Sequence, residues 1–237
     1  MRRSLCAFVA AAGAIGLSSS ALAQGELITF SFSDLAASFV DGPTMSDRIF
    51  SAQTVGGVAG LQSGGDITRV DVSPNQTATF PSGFAAGSSA SVSVSMNLDT
   101  AVVNDGGIES IATTGAFIIT DADGDVIFGN LIGSWRNIGG GFEVFEGLIT
   151  SASILPGGGG DDLNFNAPAG GGSFSYAGLP MSGLTGAFVQ LQLTMGTFFD
   201  QNFSGVSSQA SGVLVPAPAA GGLLALAGLG AMRRRRR

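Results

Sequence analysis

Ala90-Ser91-Val92-Ser93-Val94-Ser95-Met96-Asn97-Leu98 is apolar at every second residue and small and polar in between. Successive side chains of a strand point to opposite faces, so this stretch buries Ala90, Val92, Val94, Met96 and Leu98 and leaves the serines and Asn97 to water. The same period recurs in Ile28, Phe30 and Phe32 against Thr29, Ser31 and Ser33, and in Val189, Leu191, Leu193 and Met195 against Gln190, Gln192 and Thr194. A half-buried antiparallel strand requires this alternation, whereas an amphipathic helix would repeat every 3.6 residues.

Weaker strand candidates lie at Ile67–Val72, Phe142–Ile149 and Ser173–Tyr176, with a phase slip near Phe145-Glu146 that reads as a bulge. Turn signals separate the runs at Asp41-Gly42-Pro43, Asn104-Asp105-Gly106-Gly107 and Gly157–Gly160. Residues 156–172, dominated by Gly, Pro and Asp, read as one long loop. No convincing capped helix and no internal repeat is found between residues 24 and 212. The expectation is an all-β body over residues 24–212, an antiparallel β-sandwich of jelly-roll-like form.

The chain has 237 residues, of which 38 are Gly, with 45% hydrophobic and only 11% charged. Disordered chains combine low hydrophobicity with high charge, so wholesale disorder is excluded. Histidine and lysine are absent and the single cysteine is Cys6. Ser-His-Asp and Cys-His nucleophile systems are therefore excluded, and zinc, copper and haem lose their usual ligands. No catalytic, cofactor-binding or metal-ligating residue is expected, and no cofactor.

Residues 24–215 hold all 17 acidic side chains but only Arg48, Arg69 and Arg136 as cations, an excess of 14 negative charges. Such a body repels nucleic acid and anionic membrane surfaces. The remaining cations lie at the two ends. Arg2 and Arg3 precede an apolar run from Leu5 to Leu17, then Ser18-Ser19-Ser20 and Ala21-Leu22-Ala23. That order reads as a cleaved secretory leader over residues 1–23, cut by signal peptidase between Ala23 and Gln24. Cys6 leaves with the leader, so the exported chain carries no disulfide.

At the other end, Pro216-Ala217-Pro218 precedes an apolar stretch over residues 219–232 and the run Arg233, Arg234, Arg235, Arg236 and Arg237. As a helix the apolar stretch spans about 21 Å, against ~30 Å of hydrocarbon core, and extension back to Val213 gives about 20 residues. The arginines hold such a segment on the cytoplasmic side. This order of Pro-x-Pro, apolar helix and arginine cluster over residues 213–237 resembles a PEP-CTERM sorting signal, in a variant whose usual acidic middle residue is Ala217. The resemblance covers about a tenth of the chain. It implies an exported bacterial protein held transiently in the inner membrane by one transmembrane helix and processed by an exosortase-type peptidase. A temporary helix behind a cut site follows the same physical logic as a lipid-anchor signal.

Within the body, Asp121-Ala122-Asp123-Gly124-Asp125 sets three carboxylates at alternate positions, as a calcium loop would. An EF-hand, however, needs Gly at position six and Glu at position twelve, where Val126 and Ile132 stand. The flanks Ala116–Thr120 and Val126–Phe128 read as strands, which makes Asp123-Gly124 the two-residue turn of a hairpin. Glu143 with Glu146, and Asp161 with Asp162, could pair for glycoside hydrolysis but fit solvated positions equally well. Trp135 and Tyr176 suit either a sugar-stacking platform or the core, and the core is favoured.

Three functional classes follow. The first is a non-enzymatic surface or extracellular-matrix protein of structural or interaction type. The second is a carbohydrate- or calcium-binding module, with extracellular polysaccharide as the candidate partner. The third is a secreted carboxylate-dependent glycoside hydrolase. Composition and tail favour the first.

Overall fold

The alternation at residues 28–32 becomes the first half of a 13-residue strand, β1 (Ile28–Val40), in a computed structural model that describes residues 27–98, 100–157, 163–194 and 198–217. Ile28, Phe30 and Phe32 are buried, but after Asp34 the buried set is Leu35, Ala37 and Phe39. Asp34 has φ +54° and the pairing register steps between Phe32 and Leu35. This bulge shifts the inward phase by one residue and lets one strand serve two neighbours.

The other strands are β2 (Ile49–Gln53), β3 (Gly64–Arg69), β4 (Gln76–Phe80), β5 (Ser91–Asn97), β6 (Val103–Asp105), β7 (Ile108–Thr120), β8 (Val126–Asn137), β9 (Phe142–Leu155), β10 (Asn164–Asn166), β11 (Ser173–Ser175), β12 (Ser182–Thr194) and β13 (Phe203–Pro216). Among the described residues the remaining regular elements are three-residue turns of 3-10 helix. The unit spanning Gly25–Ala217 is thus all-β, one large antiparallel sheet consistent with a β-sandwich.

Pairing runs β13-β12-β9-β8-β7-β5-β2-β1, and β13 pairs with β1 again, so the path closes on itself. β2 takes the second half of β1, from Ala36 to Val40, while β3 takes the first half, from Ile28 to Ser33, and carries β4 on its far side. A separate two-stranded sheet joins β10 to β11.

Rings from paired and unpaired strands meet inside. Phe30 of β1 stacks on Phe117 of β7 at 5.5 Å, and Phe188 of β12 contacts both. The series continues through Phe145, Trp135, Phe50, Phe199 and Phe39. Each such ring contributes roughly 1.5–3 kcal/mol by leaving water, and edge-to-face packing fixes the orientation. Small residues let the strands approach. At Gly186 of β12 a Cβ would lie 1.9 Å from the Val213 carbonyl oxygen, so only glycine fits.

Several sequence expectations need correction. The 156–172 segment is not wholly loop, because β10 lies within it and Phe165 stacks on Phe174 of β11 at 5.3 Å, both buried. One Phe between two asparagines gives too short an alternation to read. The phase slip of β9 falls at Thr150, where β8 steps from Asn130 to Leu131 against Ser151 and Ile149, rather than at Phe145-Glu146. Opposite Glu146 the extra residue is carried by β12, between Phe188 and Leu191. β3 begins three residues before the expected Ile67 and ends at Arg69, and β2 and β4 had no strong alternation to announce them.

The two ends of the unit leave side by side. Ile28 pairs with Leu214, and the Leu27 N–H donates to the Leu214 carbonyl at 2.9 Å. The last strand runs on to Pro216, which pairs with Leu184, so the sheet takes in residues 213–216.

Candidate functional site

Of the residues expected to act in processing, Ala23, Gln24, Pro218 and Arg233 to Arg237 lie outside the described residues, as does the span expected over 219–232. Pro216 closes β13, and the Ala217 N–H donates to the Gly183 carbonyl at 2.8 Å. The Pro-Ala-Pro motif therefore starts on the last paired residue of the sheet. Among the described residues no helix is long and apolar enough to cross a membrane.

The β7–β8 connection is densely hydrogen-bonded. Thr120 pairs with Val126, and the Asp121 N–H donates to the Asp125 carbonyl at 2.9 Å. Three residues, Ala122, Asp123 and Gly124, make the tip in place of the expected two. Asp121 is the reason: its Oδ1 accepts the N–H groups of Asp123, Gly124 and Asp125 at 3.1, 2.8 and 2.8 Å. Gathering three donors on one oxygen rounds the turn, and Gly124 supplies the required positive φ of +104°.

The turn is also fastened to the β10–β11 hairpin. Asp121 Oδ2 accepts the Asn166 N–H at 2.6 Å, and Asn166 Nδ2 donates to Asp123 at 3.0 Å. Asp125 accepts the Gly157 N–H at 2.5 Å and the Tyr176 hydroxyl at 2.9 Å. Asp121 and Asp125 are buried while Asp123 is exposed. Burial pushes the Asp121 carboxyl up to about 7, the hydrogen-bonded Asp123 carboxyl adds to the rise, and the N–H groups of Asn166 and Asp125 oppose it.

One oxygen from each of Asp121, Asp123 and Asp125 lies within 4.8 Å of the others. Such a cluster has the donor chemistry of a hard cation site. Here, however, four N–H donors already answer the charge of Asp121, and the carboxylates serve the local backbone and the neighbouring hairpin.

A second polar group occupies the opposite end of β7, β8 and β9. Ser110 pairs with Arg136, which sets Glu109 beside Asn137, and Asn137 pairs in turn with Glu143. Asn137 Nδ2 donates to Glu109 Oε2 at 3.2 Å, and Asn137 Oδ1 accepts the Gly139 N–H at 2.9 Å. Glu143 is only 1% exposed, and its Oε2 has no hydrogen-bond partner among the described residues. Burial raises its carboxyl to about 7, with the charge of Glu109 adding to the effect.

Glu143 is therefore not a solvated strand residue, and its expected partner Glu146 is exposed on the other face of β9. Asp161 and Asp162 lie outside the described residues. Trp135 and Tyr176 are fully buried, Trp135 among Phe50, Phe145 and Phe199, so neither forms a sugar-stacking platform. Sequence reasoning missed Glu109 and Asn137. The available signal was the parity of Glu143, which shares the inward phase of Phe145 and Ile149.

Comparison with protein-family models, with curated proteins and with solved structures gives no match.

Proposed function

We propose that this chain is an exported bacterial surface or extracellular-matrix protein of non-enzymatic, structural or interaction type, sorted by its PEP-CTERM-like tail. Signal peptidase removes residues 1–23. Because residues 213–216 belong to β13, the segment that stops in the inner membrane is the part of the tail beyond the sheet, residues 217–237. An exosortase-type peptidase cuts near Pro216-Ala217-Pro218, and the body reaches the cell surface or the extracellular space. Five guanidinium groups are costly to translocate, which supplies the stop.

The observation that carries the reading is the pairing of Ile28 with Leu214. Both sorting segments join the same end of the unit. The connections β1–β2, β5–β6–β7, β8–β9 and β12–β13 lie at the other end, and extracellular polysaccharide is the candidate partner. The aromatic filling of the interior supports a structural role, because the rings occupy the space that a substrate cleft between the layers would need. The strand order runs largely as a meander, and only the excursion from β2 through β3 and β4 to β5 departs from it.

The test is retention. Replacing all five terminal arginines with serine should abolish the membrane-held precursor, and truncation after Ala217 should release a folded body directly. Unchanged retention and processing of the five-serine variant would overturn the reading. The truncation keeps Leu214, which is buried in the core.

A further inference from the structure

We infer that Glu143, with Glu109 and Asn137 beside it, forms a proton-operated switch at the end of the unit that carries the β8–β9 turn. With its proton on, the Glu143 carboxyl stays buried on the inward face of β9 that Phe145 shares; when the proton leaves to solvent, the buried anion drives the strand ends apart.

Three observations carry this. The register lines Glu109, Asn137 and Glu143 across β7, β8 and β9. Glu143 is 1% exposed, and among the described residues its Oε2 is unpartnered. Trp135, two residues from Asn137 along β8 and therefore on the same face, is also fully buried, and its Nε1 has no acceptor among the described residues. A neutral carboxyl can sit in such surroundings, whereas an unpaired buried carboxylate cannot do so without a large penalty.

The surrounding charges give no relief. β7 presents Glu109, a like charge that reinforces the penalty. β8 presents the neutral Asn137 and Trp135, and β12 presents the buried Leu193 opposite Glu143. Arg136 is exposed on the other face of β8. Arg48 is committed to Asp41 and to the Phe199 carbonyl, each at 3.1 Å. Among the described residues no arginine pairs with Glu143. The closed form therefore holds the proton more tightly than an open one, and opening is favoured as pH rises through about 7.

Trp135 is the sole tryptophan of the chain, so its emission reports on this end alone. The experiment follows emission maximum and acrylamide quenching of the full chain from pH 5 to pH 9. The parent should shift to the red and become quenchable with a midpoint near 7. Glu143→Gln should stay blue and protected throughout, Glu109→Gln should titrate with its midpoint at lower pH, and Asp121→Asn should behave as the parent. An absent transition in the parent, an unchanged one in Glu143→Gln, or its loss in Asp121→Asn would overturn the switch. Should Glu143→Gln fail to fold, an unmoved midpoint in Glu109→Gln overturns it equally.

Discussion

The Tyr176 hydroxyl donates to the Asp125 carboxylate at 2.9 Å across 51 residues of chain, and both side chains are buried. This bond joins the turn between β7 and β8 to the segment that follows β11. Tyr176→Phe keeps the ring and removes the donor. It should cost about 1–2 kcal/mol of stability by urea denaturation, with strand content by circular dichroism unchanged.

Asp121 organises the same turn from within. Asp121→Ala removes the acceptor of four backbone N–H groups and should cost about 3 kcal/mol, since buried donors then lose their partner. Asp121→Asn retains a carbonyl oxygen and should cost less. Urea midpoints of the two variants give the order directly.

Because four backbone N–H groups already engage the Asp121 carboxyl, calcium should leave the melting temperature nearly unchanged relative to chelator. A large rise with calcium that Asp123→Ala abolishes would instead show a metal loop, since a ligand stabilises only the state it binds.

Stability should fall as pH rises. Asp121 goes from 3.8 to about 7 and Glu143 from 4.5 to about 7 on folding. Both pKa values are raised in the folded state, so between about 4 and 7 the native form binds more protons than the unfolded one. Their contribution is complete below that window and is lost as pH climbs through it. Calorimetry should therefore give a lower melting temperature at pH 8 than at pH 5, and Glu143→Gln should narrow the difference.

Gly186→Ala would place a methyl group 1.9 Å from the Val213 carbonyl oxygen. The strands would have to part, at a cost of about 1–3 kcal/mol. Phe117→Ala, which empties the contact with Phe30 and Phe188, should cost more, about 3–5 kcal/mol. Parallel urea titrations test the ranking.

The alternation over residues 90–98 was sufficient by itself to locate a strand and to orient it. Ala90, Val92, Val94, Met96 and Leu98 are all buried, because side-chain period alone decides which face of a strand meets the core. The same holds for Ile28, Phe30 and Phe32, and for the position of the turn after Thr120. The all-β class followed from these stretches together, and local sequence sufficed because strand period is a local property.

Tertiary structure decided the rest. The bulge at Asp34 sends the second half of β1 to a different neighbour, and β4 and β10 form where a paired strand or a buried Phe165–Phe174 stack supports them. Closure of the sheet depends on β1 meeting β13 from the opposite end of the chain. Glu143 shows the difference most clearly. Its spacing from Phe145 announces an inward side chain, but whether inward means solvated mouth or closed core depends on Trp135, Leu193 and Glu109, which come from other strands. Burial is a property of what the neighbours leave open, and a single strand carries no record of its neighbours.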